Sequence, residues 1–243
     1  MLSVCLESGR GDTVAFGKAM KNSREHAQRL RKLYRNLKQV HPKLEMVTYD
    51  DPVDALIYGI VSERLTHTET EAAMRGIRRT FINWNDLRVS RPEEIVEVFG
   101  SDTPALRDMA MTLTTALRGV FDGYHTVSLQ ALKKLGKRPA RQAIEKLGAL
   151  SRFAVDYCML TSLEAHAIPL TGRMMEYLRR HKIVEGQAGE EEIDGFLTRQ
   201  VAARNAYEFY ALLRRECECP KITGKERRKA ARPKARKAAK TRK

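Results

Sequence analysis

The chain has 243 residues, 42% of them hydrophobic, so it is long and apolar enough to bury a core and is not an intrinsically disordered protein. No run of eighteen apolar residues occurs, which predicts that no helix crosses a membrane, and the four cysteines stand at no disulfide-like spacing. With no secretory signal, these features predict a cytoplasmic protein in a reducing compartment, with residues 1–16 as a flexible N-terminus.

The positive charge is concentrated at the C-terminal end. The chain carries 45 Lys and Arg against 30 Asp and Glu, a net charge of +15. From Lys221 to Lys243 there are twelve basic residues and one acidic residue, so this segment contributes 12 − 1 = +11 and the remainder contributes 15 − 11 = +4. We call residues 220–243 the basic tail.

The basic tail is predicted to be disordered and to bind a polyanion. From residue 225 onward it has no large apolar side chain whose burial could offset the entropy of ordering. Lysine and arginine near phosphates release condensed counterions, which favours nucleic acid as the partner. A solubility tail, or a segment attracted to ribosomes or membranes, is the alternative, although no Trp, Phe or Leu is present to insert into lipid. The tail residues expected to contact DNA are Arg227, Arg228, Lys229, Lys234, Arg236 and Lys237.

Apolar residues recur at the helical period along almost the whole chain, and no alternating pattern indicates a strand. The pattern predicts helices over 17–40, 52–64 and 68–80, then a connector over 81–89, then helices over 92–98, 104–120, 128–135, 139–147, 151–163, 170–182 and 190–216. Asp51-Pro52 and Thr103-Pro104 supply a cap followed by a proline at the first helical position. The sequence therefore predicts an all-α, orthogonal helix bundle in two lobes.

Residues 139–178 carry a recognisable layout. A short helix is followed by the tight turn Leu147-Gly148-Ala149-Leu150 and then by a second helix that begins with small residues. With the apolar segment DPVDALIYGIVSERLT before it and Phe209-Tyr210-Ala211-Leu212-Leu213 after it, this layout resembles the helix-hairpin-helix superfamily of endonuclease III-like DNA glycosylases. The resemblance covers about residues 50–217.

The resemblance implies an arrangement of two lobes with double-stranded DNA in the cleft between them. The lobe formed by 51–165 would be a six-helix barrel that contains a helix-hairpin-helix at about 139–163. Residues 17–50 and 166–219 would form the second lobe, and the basic tail would follow it.

The family's catalytic groups are absent from the matching positions. Arg152 stands where bifunctional members have a lysine, and an arginine stays protonated, so it cannot form a Schiff base. Leu170 stands where the family has its aspartate, and an apolar side chain can neither activate water nor stabilise a cationic transition state. The resemblance thus implies a chain without the family's chemistry.

The iron–sulfur cluster of the family is not expected either. Cys217 falls where the first cluster cysteine would be, and only Cys219 follows it, whereas a [4Fe–4S] cluster needs four thiolates. We expect no cofactor and no metal.

Several residues are expected to contact DNA in the body of the protein. Arg64 matches the position of the polar side chain that the family inserts into DNA; plain surface charge is the alternative. The hairpin residues Gly148, Ala149 and Leu150 would approach one phosphate, with Arg152 beside them and Thr171 across the cleft. The bulk of Leu150 at the second glycine position would weaken or re-aim that contact.

Three functions remain open on the sequence alone. The first is an inactive, nucleoid-associated DNA-binding protein, expected to be a monomer, on a base-excision-repair scaffold. The second is a divergent glycosylase or abasic-site lyase that uses a displaced acid, Asp156 or Glu63; for Asp156 a solvent-facing or capped carboxylate is the alternative. The third is a basic helical protein that binds RNA or the ribosome.

Overall fold

The computed structural model describes residues 23–41, 44–148 and 150–218. Within these residues the structure contains eleven α-helices and no strand, which confirms the predicted all-α class. Residues 1–22, Ala149 and the basic tail, on which several of the predictions fall, lie outside the described residues, as does Cys219. The helices are α1 Ser23–Val40, α2 Pro52–Ser62, α3 His67–Thr80, α4 Trp84–Val89, α5 Pro92–Val98, α6 Pro104–Tyr124, α7 Lys137–Glu145, α8 Arg152–Thr161, α9 Gly172–Arg180, α10 Glu190–Gln200 and α11 Ala206–Glu218, with 3₁₀ turns at Gln130–Lys134 and Ala203–Asn205.

The predicted capping residues begin the helices as expected. Asp51 caps α2 by accepting a hydrogen bond from the backbone N–H of Val53 at 3.0 Å, and the next residue is a proline at the first helical position. Thr103 caps α6 in the same way, since its hydroxyl accepts from the N–H of Leu106 at 3.3 Å. These caps fix the starts of two core helices of the 51–165 segment.

Helices α2 and α8 form the centre of the molecule. Both are buried along almost their entire length. They approach closely at Gly59, where a Cβ atom would lie only 3.2 Å from the Cα and the carbonyl oxygen of Ala154. A small residue on each helix therefore lets α8, and the connection that precedes it, sit directly against α2.

The structure differs from the predicted elements in two places. The connector predicted over 81–89 contains α4, which begins because the Asn83 side chain accepts hydrogen bonds from two backbone N–H groups. The helix predicted over 190–216 is broken, because Val201 is extended and buried and its carbonyl oxygen lies 2.9 Å from Nε2 of His166. A six-residue helix is too short to show a period, and the break depends on a contact 35 residues away in sequence.

An aromatic cluster fills the interior between α2, α8 and α11. Tyr157 is only 3% exposed and stacks on Tyr58 and Phe153, with ring centroids 5.3 and 6.2 Å away. Burial raises the pKa of Tyr157 far above its usual value. Tyr157 is therefore part of the core. Among the described residues, no helix is both long and apolar enough to span a bilayer.

Candidate nucleic-acid interface

A cavity of about 480 Å³ lies where the α2–α3 loop, the start of α9 and the end of α11 meet. Its walls come from widely separated parts of the sequence. The lining residues are Glu63, Arg64, Leu65, Ala105, Thr171, Gly172, Arg173, Met174, Arg214, Cys217 and Glu218. Two of the positions that the resemblance singled out, Arg64 and Thr171, thus face one space.

Arg64 is exposed and also lines a second, smaller cavity of about 100 Å³. This cavity is polar: Glu63, Asp108 and Ser151 lie on its wall. Neither Arg64 nor Arg173 forms an ion pair with any described residue. The charge of Arg173 helps to lower the pKa of the Glu69 carboxyl, but no carboxylate holds either guanidinium group at ion-pair distance, so both can contact an anion that enters from solvent.

A buried arginine of α11 holds the α2–α3 loop from the protein interior. Arg214 is 8% exposed, and its Nη2 donates to the carbonyl oxygens of Ser62 at 2.5 Å and Leu65 at 2.9 Å. Its Nη1 donates to the hydroxyl of Tyr210 at 3.0 Å and its Nε to Glu218 at 2.6 Å. Burial alone would lower the pKa of Arg214, but the contacts with Tyr210 and Glu218 raise it, so the group is charged. The loop that carries Arg64 is fixed by this charge.

The same turn of α11 also holds the start of α3. Glu218 accepts a hydrogen bond from the backbone N–H of His67 at 2.9 Å. Thr66 and Glu69 form a capping box, and hydrogen bonds from Thr66 lower the pKa of the Glu69 carboxyl. Both ends of the short loop are thereby anchored, and the ring of His67, the first residue of α3, contacts the hydroxyl of Tyr58.

The connection between α7 and α8 is built around one glycine. Gly148 has φ of +84°, a conformation that a residue with a side chain rarely adopts. Leu150 is half-buried and packs against the hydrophobic core, whereas Ala149 lies outside the described residues. Ser151 caps α8 by accepting from the N–H of Ala154 at 3.2 Å.

Arg152 is engaged by two carboxylates of the protein. Its Nη2 lies 2.5 Å from Asp194 of α10, and its Nε lies 3.6 Å from Asp156. Asp156 is 3% exposed and forms an ion pair with Arg141, and burial raises the pKa of the Asp156 carboxyl against the opposing effect of that arginine. This cluster joins α7, α8 and α10. Both arginines of the cluster form ion pairs with carboxylates of the protein. Asp156 is buried and lines neither of the two cavities.

Leu170 is buried at 5% exposure, directly before the cap of α9. The Thr171 hydroxyl accepts from the N–H of Met174 at 3.3 Å, which begins the helix. Leu170 thus belongs to the apolar core. Of the two acids considered as displaced catalysts, Glu63 is the one that faces both cavities.

The cysteines do not fit a [4Fe–4S] cluster. Cys158 is fully buried in α8, where its thiol donates to the carbonyl oxygen of Pro52 at 3.3 Å. Cys217 is half-buried and lines the larger cavity, and burial raises the pKa of its thiol to about 12. Since Cys158 is committed to the core, fewer than four cysteines remain for a cluster near α11.

Gly119 of α6 sets the position of the chain just before Gly148. A Cβ atom at position 119 would lie 2.7 Å from the carbonyl oxygen of Leu147, which is backbone and cannot turn aside. We expect Gly119→Ala to lower the free energy of unfolding by about 1–3 kcal/mol, since it overpacks a close contact. The measurement is urea unfolding.

The control for this prediction is Gly123→Ala in the same helix, where a Cβ atom would meet nothing within 4 Å. It is expected to leave stability unchanged or to raise it by up to about 1 kcal/mol, because alanine is the better helix former. Equal effects of the two substitutions would contradict the close approach at Leu147.

Arg214 was missed by the sequence analysis. A signal existed, because Tyr210, Arg214 and Cys217 are spaced to share one face of α11, and an arginine on an apolar face indicates a buried ion pair or carbonyl ligand. The pairing of Arg152 with Asp194 had no such signal, since 42 residues separate the two.

Solved structures show the same fold. An endonuclease III trapped as a covalent intermediate with DNA matches with a TM-score of 0.65 at 13% identity, over 81% of this chain and 89% of that chain. The 8-oxoguanine glycosylase/lyase of Clostridium acetobutylicum, in complex with double-stranded DNA, matches with a TM-score of 0.61 at 13% identity, over 80% and 70%. A thermostable thymine-DNA glycosylase matches with a TM-score of 0.59 at 12% identity, over 80% of this chain and 90% of that chain.

No family model matches the sequence, and the comparison with curated proteins found no match in sequence. The chain has the fold of the endonuclease III-like DNA glycosylases.

Proposed function

We propose that this protein, on its endonuclease III-like glycosylase fold, binds double-stranded DNA through the cleft at Arg64 and no longer performs the chemistry associated with the fold. The observation that carries the proposal is the cavity that brings Arg64 and Arg173, both without ion-pair partners in the described chain, to the start of α9. Guanidinium groups and helix N-terminal N–H groups are the donors that phosphates prefer. The basic tail adds sequence-independent affinity.

Two residues support the proposed loss of catalysis. Arg152 is a permanent cation held by Asp194, so it offers no neutral amine to attack a sugar. Leu170 is buried and has no group that could activate water. The protein acts by binding, as a monomer associated with the nucleoid.

Substituting Arg64 tests the cleft directly. Arg64→Ala should weaken binding to a duplex by about fivefold to tenfold and reduce the salt slope, d log K/d log[salt], by about 1, because one phosphate contact is lost. Fluorescence anisotropy at several salt concentrations measures both. Arg199→Ala on α10, which lines neither cavity, is the matched control and should change little. Equal loss in the two variants would overturn the assignment of the cleft.

A second candidate function rests on Glu63. Glu63 lines both cavities and Asp108 also lines the smaller one, which supports Glu63 as a displaced acid for a nucleoside in the cleft. Under this alternative the protein excises a base or cleaves an abasic site, and Glu63→Gln abolishes that activity while duplex binding remains.

A basic RNA- or ribosome-binding role is the third alternative. Competition between duplex DNA and structured RNA for the full chain separates the two polyanions. Preference for the duplex supports the proposal, and preference for RNA overturns it.

A further inference from the structure

An acidic groove lies on the α5–α6 side of the protein. Its volume is about 610 Å³, and its lining residues are Pro92, Glu93, Val96, Glu97, Gly100, Ser101, Asp102, Arg107 and Met111. The groove is unusual for a chain of net charge +15, because three carboxylates and one guanidinium line it.

Two of these carboxylates form no ion pair among the described residues, although the charge of Glu93 acts on Arg107 at longer range. Arg107 forms a bidentate ion pair with Asp102, with Nε–Oδ1 and Nη2–Oδ2 distances of 2.6 and 2.5 Å, so the charges of these two residues cancel. Glu93 and Glu97 are exposed and form no ion pair with any described residue. The groove therefore carries a net charge of −2.

The floor between these charges is apolar. Met111 is 49% exposed and lines the groove together with Val96. An extended segment with long aliphatic stems and cationic ends fits such a surface, because the stems cover the apolar floor while the charged ends reach the carboxylates.

We propose that this groove binds the chain's own basic tail, residues 220–243, and thereby withholds part of the tail's charge from DNA. The proposal rests on the proposed function, because withholding has an effect only if the tail binds DNA. The tail has the complementary composition: twelve basic residues interspersed with alanine and proline.

The covalent connection favours this occupant over a separate partner. The described chain ends at Glu218, which shares the larger cleft cavity with Ala105 in the first turn of α6. Arg107 and Met111 of the same helix line the groove, so the described chain ends beside the helix that borders the groove. The 25 residues that follow Glu218 span at most roughly 80 Å when extended, which is ample. A tether of this kind gives an effective concentration of about millimolar, against which a free basic peptide competes poorly.

DNA and the groove then compete for the same cations. The groove offers two unpaired carboxylates in an exposed site, so it holds the tail weakly and salt weakens the contact further. A duplex offers many phosphates and displaces it. The groove thus lowers the affinity for DNA and leaves the final complex unchanged.

The first test does not involve DNA. Zero-length carbodiimide cross-linking of the dilute full chain, followed by mass spectrometry, is expected to join tail lysines to Glu93 or Glu97 within one molecule. Cross-links that appear only between two molecules, or only to other acidic residues, would overturn the proposal. If the intramolecular cross-links form but the chain binds no duplex, the groove assignment stands and the proposed function falls.

The second test introduces Glu93→Gln and Glu97→Gln together. The effect of this double substitution is measured in the full chain and in a chain that ends at Gly224. The full chain should bind duplex about three- to fivefold more tightly after the substitution, while the shortened chain should not change. Glu190→Gln with Glu191→Gln removes the same charge from exposed positions in the first turn of α10 and should have no length-dependent effect. An equal gain in the two chain lengths would mean that the acids act through general repulsion, which contradicts a docked tail.

Discussion

Replacing Arg214 with alanine is expected to lower the free energy of unfolding by about 3–5 kcal/mol and to weaken duplex binding at the same time. The cost is large because Arg214 is buried, and its loss leaves the carbonyl oxygens of Ser62 and Leu65 without their donors. Glu218 also loses the cation that it faces at 2.6 Å. Urea unfolding measures the stability, and anisotropy under folding conditions measures the binding.

The binding part of this prediction separates positioning from stability alone. Arg214→Ala should reduce DNA affinity even where the variant is fully folded, because the loop that carries Arg64 is no longer fixed. A variant destabilised away from both cavities, Leu87→Ala in the core of α4, serves as the comparison. Arg199→Ala at an exposed position should stay within about 0.5 kcal/mol of the parent chain. If Arg214→Ala also stays within that range, the buried contacts of α11 do not hold the loop.

Removing the tail is expected to have the largest effect on binding. A chain that ends at Gly224 loses eleven basic residues and one acidic residue, 11 − 1 = +10 of the net charge of +15. If about five of these cations meet phosphates, the slope of log K against log[salt] falls by about 4 to 5, and affinity at physiological salt falls by at least about tenfold. Binding titrations between about 50 and 200 mM salt measure the slope.

A tail of the same composition in shuffled order is the control. It should keep the salt slope, because counterion release depends on the number of cations and little on their order. An unchanged slope after truncation would show that the tail does not contact DNA, whatever the cleft does.

The helical architecture could be predicted from the sequence because its signals are local. Apolar periodicity and the caps at Asp51 and Thr103 are confined to segments of a few turns, and the structure confirms them. The break at Val201 could not be predicted, because the residues around it are compatible with a helix and the contact with His166 lies elsewhere in the chain. Tertiary contacts override local preference there.

The site could be predicted only in part. The resemblance placed Arg64 and Thr171 on opposite sides of one cleft, and the structure brings both to one cavity. The pairing of Arg152 with Asp194, and of Arg214 with the carbonyl oxygens of Ser62 and Leu65, depends on which distant residues the fold brings together, and composition or spacing does not encode that. The boundaries of the two lobes stay a prediction.

The most direct test of the central claim is a parallel measurement of binding and cleavage on the same duplexes, containing either an abasic site or a damaged base. The account predicts salt-dependent binding by the full chain, with every strand intact after incubation with excess protein. Excision or strand cleavage that Glu63→Gln abolishes would contradict the account and establish an enzyme. Failure to bind any duplex would contradict the proposed DNA binding.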